Sequence, residues 1–213
     1  MLFFCCRLVL FADAGVPLSA LSSAARDEGL SGLEFAFGIP GTLGGAVYMN
    51  AGAYGGSMSD VCISSSYYDT QTGEVKSLFA DAQAFGYRKS IYQSHPERII
   101  LGATLQLQKG DREEISERMR AYWEKRRSSQ PLEMPNAGST FKRPEGHFAG
   151  KLIEDCGLKG LTVGGAQVST KHAGFIVNVG GATCEDVKCL IEQIKTTVLQ
   201  KTGVELECEI RFL

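Results

Sequence analysis

Four short stretches of this chain carry side chains whose types and spacing could do chemistry. The first is Gly38-Ile39-Pro40-Gly41-Thr42-Leu43-Gly44-Gly45. Glycines let a backbone turn tightly and bring its N–H groups close to a phosphate, and a helix opening just after them would aim its positive end at the same anion. The spacing is neither a dinucleotide G-x-G-x-x-G nor a P-loop, and no lysine closes it. The stretch therefore reads either as a cradle for a diphosphate or flavin, or as a tight structural turn. The second stretch, Phe85-Gly86-Tyr87-Arg88-Lys89-Ser90, offers a guanidinium fork for a carboxylate, or a surface cation. The third, Asn136-Ala137-Gly138-Ser139-Thr140-Phe141-Lys142-Arg143-Pro144, places a serine where turn and cap residues are common. No G-x-S-x-G elbow marks a nucleophile. The fourth is the C-terminal run from Val204, where Glu209 stands on the polar edge of an alternating pattern. It reads there as a solvated strand carboxylate or as part of a site.

Elements with clear patterns flank these stretches. Leu8–Phe11 reads as a strand after an irregular start, with Arg7 interrupting an apolar run too short to span a bilayer. Leu18, Leu21, Ala24 and Ala25 lie at helical spacing, and Gly29 stands where a helix would stop. Residues 61–78 read as a hairpin around an Asp-Thr-Gln-Thr-Gly turn. Leu101, Ala103, Leu105 and Leu107 predict a strand with one buried face. After a boundary at 109–111 comes a long charged helix, with Ile115, Met119 and Tyr122 on one face and Trp123 beside them. Residues 149–156 predict a short helix ended by Gly157, and LTVGGAQVS and GFIVNVGG predict two strands. Thr183 and Asp186 form a capping box for a helix to about Gln200. Its buried face is Val187, Leu190, Ile191, Ile194 and Val198, and Gly203 stops it. From Val204 to Phe212 the alternation predicts a closing strand. The class is α+β in two lobes, 1–108 and 109–213.

Composition excludes other classes. The net charge is −2 with no basic stripe, so nothing argues for nucleic acid. No apolar segment is long enough for a membrane span. The seven cysteines show no C-x-x-C pair, and the histidines supply no zinc pattern. They read as reduced, mostly packed thiols of a cytoplasmic protein, with no metal site.

The segment GLEFAFGIPGTLGGAVYMNAGAYG, residues 32–55, closely resembles the flavin-binding signature of the UDP-N-acetylenolpyruvoylglucosamine reductase (MurB) family. The Arg88 and Ser139 stretches and the terminal Glu209-Ile210-Arg211 resemble its other motifs, so the resemblance runs from about Phe11 to the C-terminus. It implies the remainder of a flavin-binding lobe of the p-cresol methylhydroxylase and vanillyl-alcohol oxidase type, followed by a MurB-type substrate lobe. It implies FAD held by Gly38, Ile39, Pro40, Gly41, Thr42, Gly44, Gly45, Asn50 and Gly52, and NADPH as hydride donor. Arg88 becomes the active-site arginine, Ser139 the proton donor, and Glu209 the glutamate that completes the site. Cys208 stands where relatives commonly have proline. Tyr87, Arg126, Arg127, Asn136, Lys142 and His172 are candidates for holding UDP-N-acetylenolpyruvoylglucosamine, although His172 reads equally as a packed residue.

The family's flavin lobe also has a subdomain of about 80 residues, small for a domain, ahead of the position of Phe11. Its T-x-R-x-G-G and L-G-x-G-S-N-x-L segments wrap the flavin, and neither occurs in this chain. The expectation is an N-terminally truncated reductase of peptidoglycan precursor synthesis. The alternatives are another flavoprotein of the same superfamily, such as an alcohol oxidase, and a piece that retains only nucleotide-sugar binding.

Overall fold

The structure, a computed structural model, describes residues 3–6 and 8–212, with side chains from Leu8 onward. The proposed interruption at Arg7 lies outside the described residues. The chain divides into two compact units, Met1–Lys125 and Arg126–Leu213.

The first unit is built on an antiparallel five-stranded sheet in the order β1-β2-β8-β6-β7. Its elements run in sequence as β1 (Phe3–Cys6), β2 (Val9–Asp13), α1 (Leu18–Asp27), β3 (Leu30–Ser31), α2 (Leu43–Met49), β4 (Gly52–Ala53), β5 (Gly56–Ser57), β6 (Cys62–Asp69), β7 (Glu74–Phe79), β8 (Arg98–Gln106), β9 (Gln108–Lys109) and most of α3 (Arg112–Ser129). The expected irregular start is instead strand β1, paired with β2. Helix α1 stops where expected, with Gly29 at φ +67°, a left-handed conformation that glycine adopts without steric cost. Leu10, Leu21, Leu43, Met58, Leu105 and Leu107 are buried in its core. Each such side chain is worth about 1.5–3 kcal/mol of burial.

The face assignment of β8 needs one correction. Ala103, Leu105 and Leu107 are buried as expected, but Leu101 is 41% exposed. Ser66 pairs with Gly102 and Tyr67 with Ile100, so Leu101 is an extra residue in a β-bulge. Its carbonyl accepts the Ala14 N–H at 2.7 Å.

Helix α3 begins beyond the expected boundary at 108/109, yet most of its length groups with the first unit. Ile115 and Met119 are buried, and Arg118 reaches Glu34 at 2.9 Å. Burial alone would raise the Glu34 pKa. Hydrogen bonds from backbone N–H groups, Ser31 and Arg118 outweigh it and hold the carboxyl below its ordinary range. Tyr122 stacks on Tyr54, with ring centroids 4.6 Å apart.

The second unit contains β10 (Asn136–Ser139), α4 (Ala149–Asp155), β11 (Thr162–Val163), β12 (Ala166–Val168), β13 (Phe175–Asn178) and α5 (Cys184–Thr202). Its antiparallel sheet has the order β10-β13-β12-β11. The LTVGGAQVS segment is a hairpin rather than one strand, because Gly164 (φ +53°) and Gly165 turn it back on itself. The Thr183–Asp186 capping box opens α5, and Leu190, Ile191, Ile194 and Val198 are buried along it.

The expected closing strand does not form. Among the described residues, 204–212 make one β-bridge to the rest of the unit, Phe141 to Cys208. The flanking hydrogen bonds run from Lys142 N to the Glu207 carbonyl and from Glu209 N to the Thr140 carbonyl. The alternation survives in packing, with Leu206 buried and Cys208 and Ile210 packed against the core.

Of the described cysteines, Cys62 and Cys156 are buried, whereas Cys184 and Cys189 are exposed. Burial pushes the Cys62 thiol up to about 12. Among the described residues no helix is long and apolar enough to cross a membrane. No group of three or more His, Cys, Asp or Glu residues among them is arranged to hold a metal ion.

Candidate functional site

In the first unit the glycine stretch makes both a tight turn and an exposed ridge. The N–H groups of Leu43 and Gly44, at the start of α2, donate to the carbonyls of Val16 and Ala14 at 2.9 and 2.8 Å. The helix end expected to face an anion is thus engaged by the protein itself. Gly44 permits that approach, since a Cβ there would lie 2.8 Å from the Ala14 Cβ. Gly52 also has an internal reason, because its Cβ would meet the Gly56 carbonyl oxygen at 2.6 Å. The Asn50 side chain binds the Gly86 carbonyl at 2.9 Å and the Ser59 N–H at 2.9 Å. Pro40, Gly41, Thr42 and Gly45 remain exposed, and Gly41 has open space where a Cβ would stand. This ridge can accept the close approach of a flat or phosphorylated cofactor.

Arg88 sits at the tip of a turn closed by Gly86 and Lys89, which exchange N–H···O=C bonds of 2.9 and 3.2 Å. Its φ is +52°, a strained conformation for a residue with a Cβ. Three side chains hold the turn. Asn50 binds the Gly86 carbonyl, Gln93 Nε2 donates to the Arg88 carbonyl at 2.9 Å, and Ser90 Oγ donates to the Tyr48 carbonyl at 2.7 Å. The Arg88 guanidinium donates to the Gly52 carbonyl at 3.1 Å. It stands 5.2 Å from the centroid of the Tyr87 ring, and Tyr87 is exposed. The structure therefore places Arg88 against the residues just beyond the glycine ridge.

In the second unit Ser139 and Glu209 lie on neighbouring backbone segments. Ser139 is exposed, pairs with Phe175 across a bulged register, and follows Gly138 at φ +85°. The next residue, Thr140, donates its N–H to the Gly174 carbonyl at 2.8 Å and accepts the Glu209 N–H at 2.9 Å. Glu209 is half-buried. The backbone of Thr140 thus ties the segment carrying Ser139 to the segment carrying Glu209 in a seam of backbone bonds.

The substrate-side candidates divide. Asn136 stabilises its own loop, with bonds to the Pro131 and Met134 carbonyls and to the Gly138 N–H. Lys142 pairs with Glu207 across the seam. Arg126 is buried and bonds Gln130, whereas Arg127 is exposed and its carbonyl accepts Lys171. His172 is a packed residue. Its Nδ1 accepts the Gly174 N–H at 3.0 Å, and its ring meets Phe175 edge-on at 5.0 Å. Burial lowers its pKa below the ordinary value.

Residues 130–213 match the family described as UDP-N-acetylenolpyruvoylglucosamine reductase, C-terminal domain, and residues 5–78 match an FAD binding domain. The chain is 51% identical over 202 residues to the UDP-N-acetylenolpyruvoylglucosamine reductase of Pediococcus pentosaceus, covering 95% of this chain and 67% of that protein. It belongs to the UDP-N-acetylenolpyruvoylglucosamine reductase family. The reductase of Alkaliphilus oremlandii is 53% identical over 204 residues, covering 96% of this chain and 66% of its own. A crystal structure of UDP-N-acetylenolpyruvylglucosamine reductase (MurB) from Thermus caldophilus superposes with a TM-score of 0.82 at 39% identity, covering 93% of this chain and 71% of that one. The chain thus spans about two thirds of the length of the curated relatives it matches. Membership in this reductase family, with its FAD binding domain, makes the chain a flavin-dependent oxidoreductase with FAD as cofactor.

Sequence reasoning passed over the supports of the site, namely Ser90, Gln93, Thr140 and Gly174. Ser90 and Thr140 had a signal, since they lie inside the arginine and serine motifs. Gln93 and Gly174 had none that local spacing could supply.

Proposed function

We propose that the chain performs the NADPH- and FAD-dependent reduction of UDP-N-acetylenolpyruvoylglucosamine to UDP-N-acetylmuramate, a cytoplasmic step of peptidoglycan precursor synthesis. The observation that supports this reading is the backbone bond from Glu209 to Thr140, the residue after Ser139, within residues matched to the reductase's C-terminal domain. The exposed ridge of Pro40, Gly41, Thr42 and Gly45 would contribute to holding FAD. FAD held there and reduced by NADPH would supply the hydride that reaches the β-carbon of the enolpyruvyl group.

The protein's own residues would do the rest. Negative charge develops on the α-carbon and on the substrate carboxylate as an enolate. Arg88, a permanent cation on a rigid turn, would stabilise that charge without reorganising. Glu209 would complete the site. Ser139 would deliver the proton to the α-carbon, giving the lactyl ether. Arg127, Lys142 and Tyr87 remain the candidates for the nucleotide-sugar end.

Rapid-mixing measurements on Arg88→Ala, Ser139→Ala and Glu209→Gln test these roles. Each variant should let NADPH reduce the flavin and should oxidise it with substrate at least about 100-fold more slowly, the scale of a lost proton donor or charge stabiliser. Normal turnover in any of them removes that residue from the mechanism. A folded but colourless protein that still binds the UDP-sugar would replace the reductase reading with nucleotide-sugar binding.

A further inference from the structure

Two glycines meet one edge of the His172 ring. A Cβ on Gly150, in α4, would lie 3.0 Å from the His172 Cε1, and a Cβ on Gly174 would lie 3.0 Å from the same atom. A side chain at either glycine would crowd the ring. The ring is also fixed edge-on against Phe175. Its backbone is tied down as well. The N–H groups of Lys171 and His172 both donate to Ser169 Oγ, at 3.2 and 3.3 Å, and Phe175 N donates to the His172 carbonyl at 3.0 Å.

The orientation of this ring has a consequence for Ser139. Gly174 donates its N–H to His172 Nδ1 at 3.0 Å and offers its carbonyl to Thr140 N at 2.8 Å. Phe175, the next residue, is the ladder partner of Ser139. A single peptide turn therefore links the imidazole to the strand carrying the proposed proton donor. Gly138 sits at φ +85° inside the bulged register just before Ser139. Beyond the bulge Ser139 meets the neighbouring strand at Phe175, so the turn before Phe175 bears on where Ser139 stands. An acceptor at Nδ1 requires the neutral ring with its proton on Nε2.

We propose that His172 is a positioning residue, whose neutral imidazole accepts the Gly174 N–H and thereby fixes the turn that registers Ser139. The inference rests on the reductase reading for its catalytic consequence, but not for its structural half.

Two variants separate the acceptor from the ring. His172→Phe keeps a planar ring beside the glycines and loses the acceptor. His172→Asn loses ring volume and keeps an oxygen near the Nδ1 position. Amide hydrogen exchange by NMR on the full chain is the first readout. In His172→Phe the Gly174 and Thr140 amides should exchange about tenfold faster, the scale of one lost hydrogen bond. Val168 and Val177, in the same sheet, should keep their rates, and His172→Asn should restore slow exchange. The second readout is turnover with FAD bound. Flavin reduction by NADPH should be unchanged in His172→Phe, kcat for substrate should fall about tenfold with KM little moved, and His172→Asn should recover most of it. Unchanged exchange at Gly174 and Thr140 overturns the proposal. So does faster exchange throughout the sheet, or failure of asparagine to rescue. If the native chain turns over no substrate, the reductase reading falls, while the exchange result still decides the role of His172.

Discussion

The Arg88 turn and the Ser139–Glu209 seam are positioned in opposite ways. Around Arg88 the work is done by side chains reaching distant backbone: Asn50 to Gly86, Ser90 to Tyr48 and Gln93 to Arg88 itself. These bonds hold a backbone conformation that an arginine resists. Along the seam the work is done by backbone groups, from Thr140 to Gly174, from Glu209 to Thr140 and from Lys142 to Glu207. A site held by side chains can be dismantled by deleting one of them. A site held by backbone pairing tolerates side-chain changes and breaks when an N–H is lost.

The sharpest way to break this comparison is at Thr140. Thr140→Pro removes the N–H that donates to Gly174 and should destabilise the second unit by about 3 kcal/mol or more. Thr140→Val keeps the N–H and removes only the hydroxyl that accepts the Ile176 N–H at 3.2 Å, which should cost about 1–2 kcal/mol. Urea unfolding gives both values. Equal losses in the two variants would mean that the seam is held by its side chains after all.

Asn50 is the matching test in the first unit. Asn50→Ala removes the bonds to Gly86 and Ser59 and leaves alanine at φ +42°. The expected loss is about 2–4 kcal/mol, combining unmet polar groups with left-handed strain. Asn50→Gly removes the same bonds without the strain and should lose about 1 kcal/mol less. Denaturant midpoints that fail to separate alanine from glycine would show that the left-handed conformation is not enforced.

The same contrast explains what could be read from the sequence. Signals whose partners lie within a few residues were legible: Gly29, Gly157 and Gly203 at helix ends, and the Thr183–Asp186 box. Leu101 was misplaced because its face depends on a bulge set by the pairing with β6. The terminal segment has the alternation of a strand, but its neighbour over 140–142 supplies only one bridge. The glycine stretch reads equally as a cofactor cradle or a tight turn, and the loop that the N–H groups of Leu43 and Gly44 meet lies almost 30 residues earlier in the chain. The chemistry of Arg88, Ser139 and Glu209 was open on residue type alone, and only the likeness of the whole motif set to one family assigned it. Residues that support a site across the fold, such as Gln93 and Gly174, have no local pattern that could announce them.

The smallest expected effect concerns Arg88 itself. A left-handed residue with a Cβ carries about 1–2 kcal/mol of strain, and glycine in its place carries none but gains freedom in the unfolded chain. Both Arg88→Ala and Arg88→Gly lose the guanidinium bond to the Gly52 carbonyl, so the two differ only in these two terms. The strain is the larger of them, and Arg88→Ala should unfold at a lower urea concentration than Arg88→Gly, with a stability lower by about 1 kcal/mol or less. If alanine and glycine unfold together, Arg88 is an ordinary turn residue. If glycine is the more stable and both lose substrate turnover, the strain at Arg88 is tolerated for its charge, and the first unit trades stability for the placement of one guanidinium in a way the seam of the second unit does not.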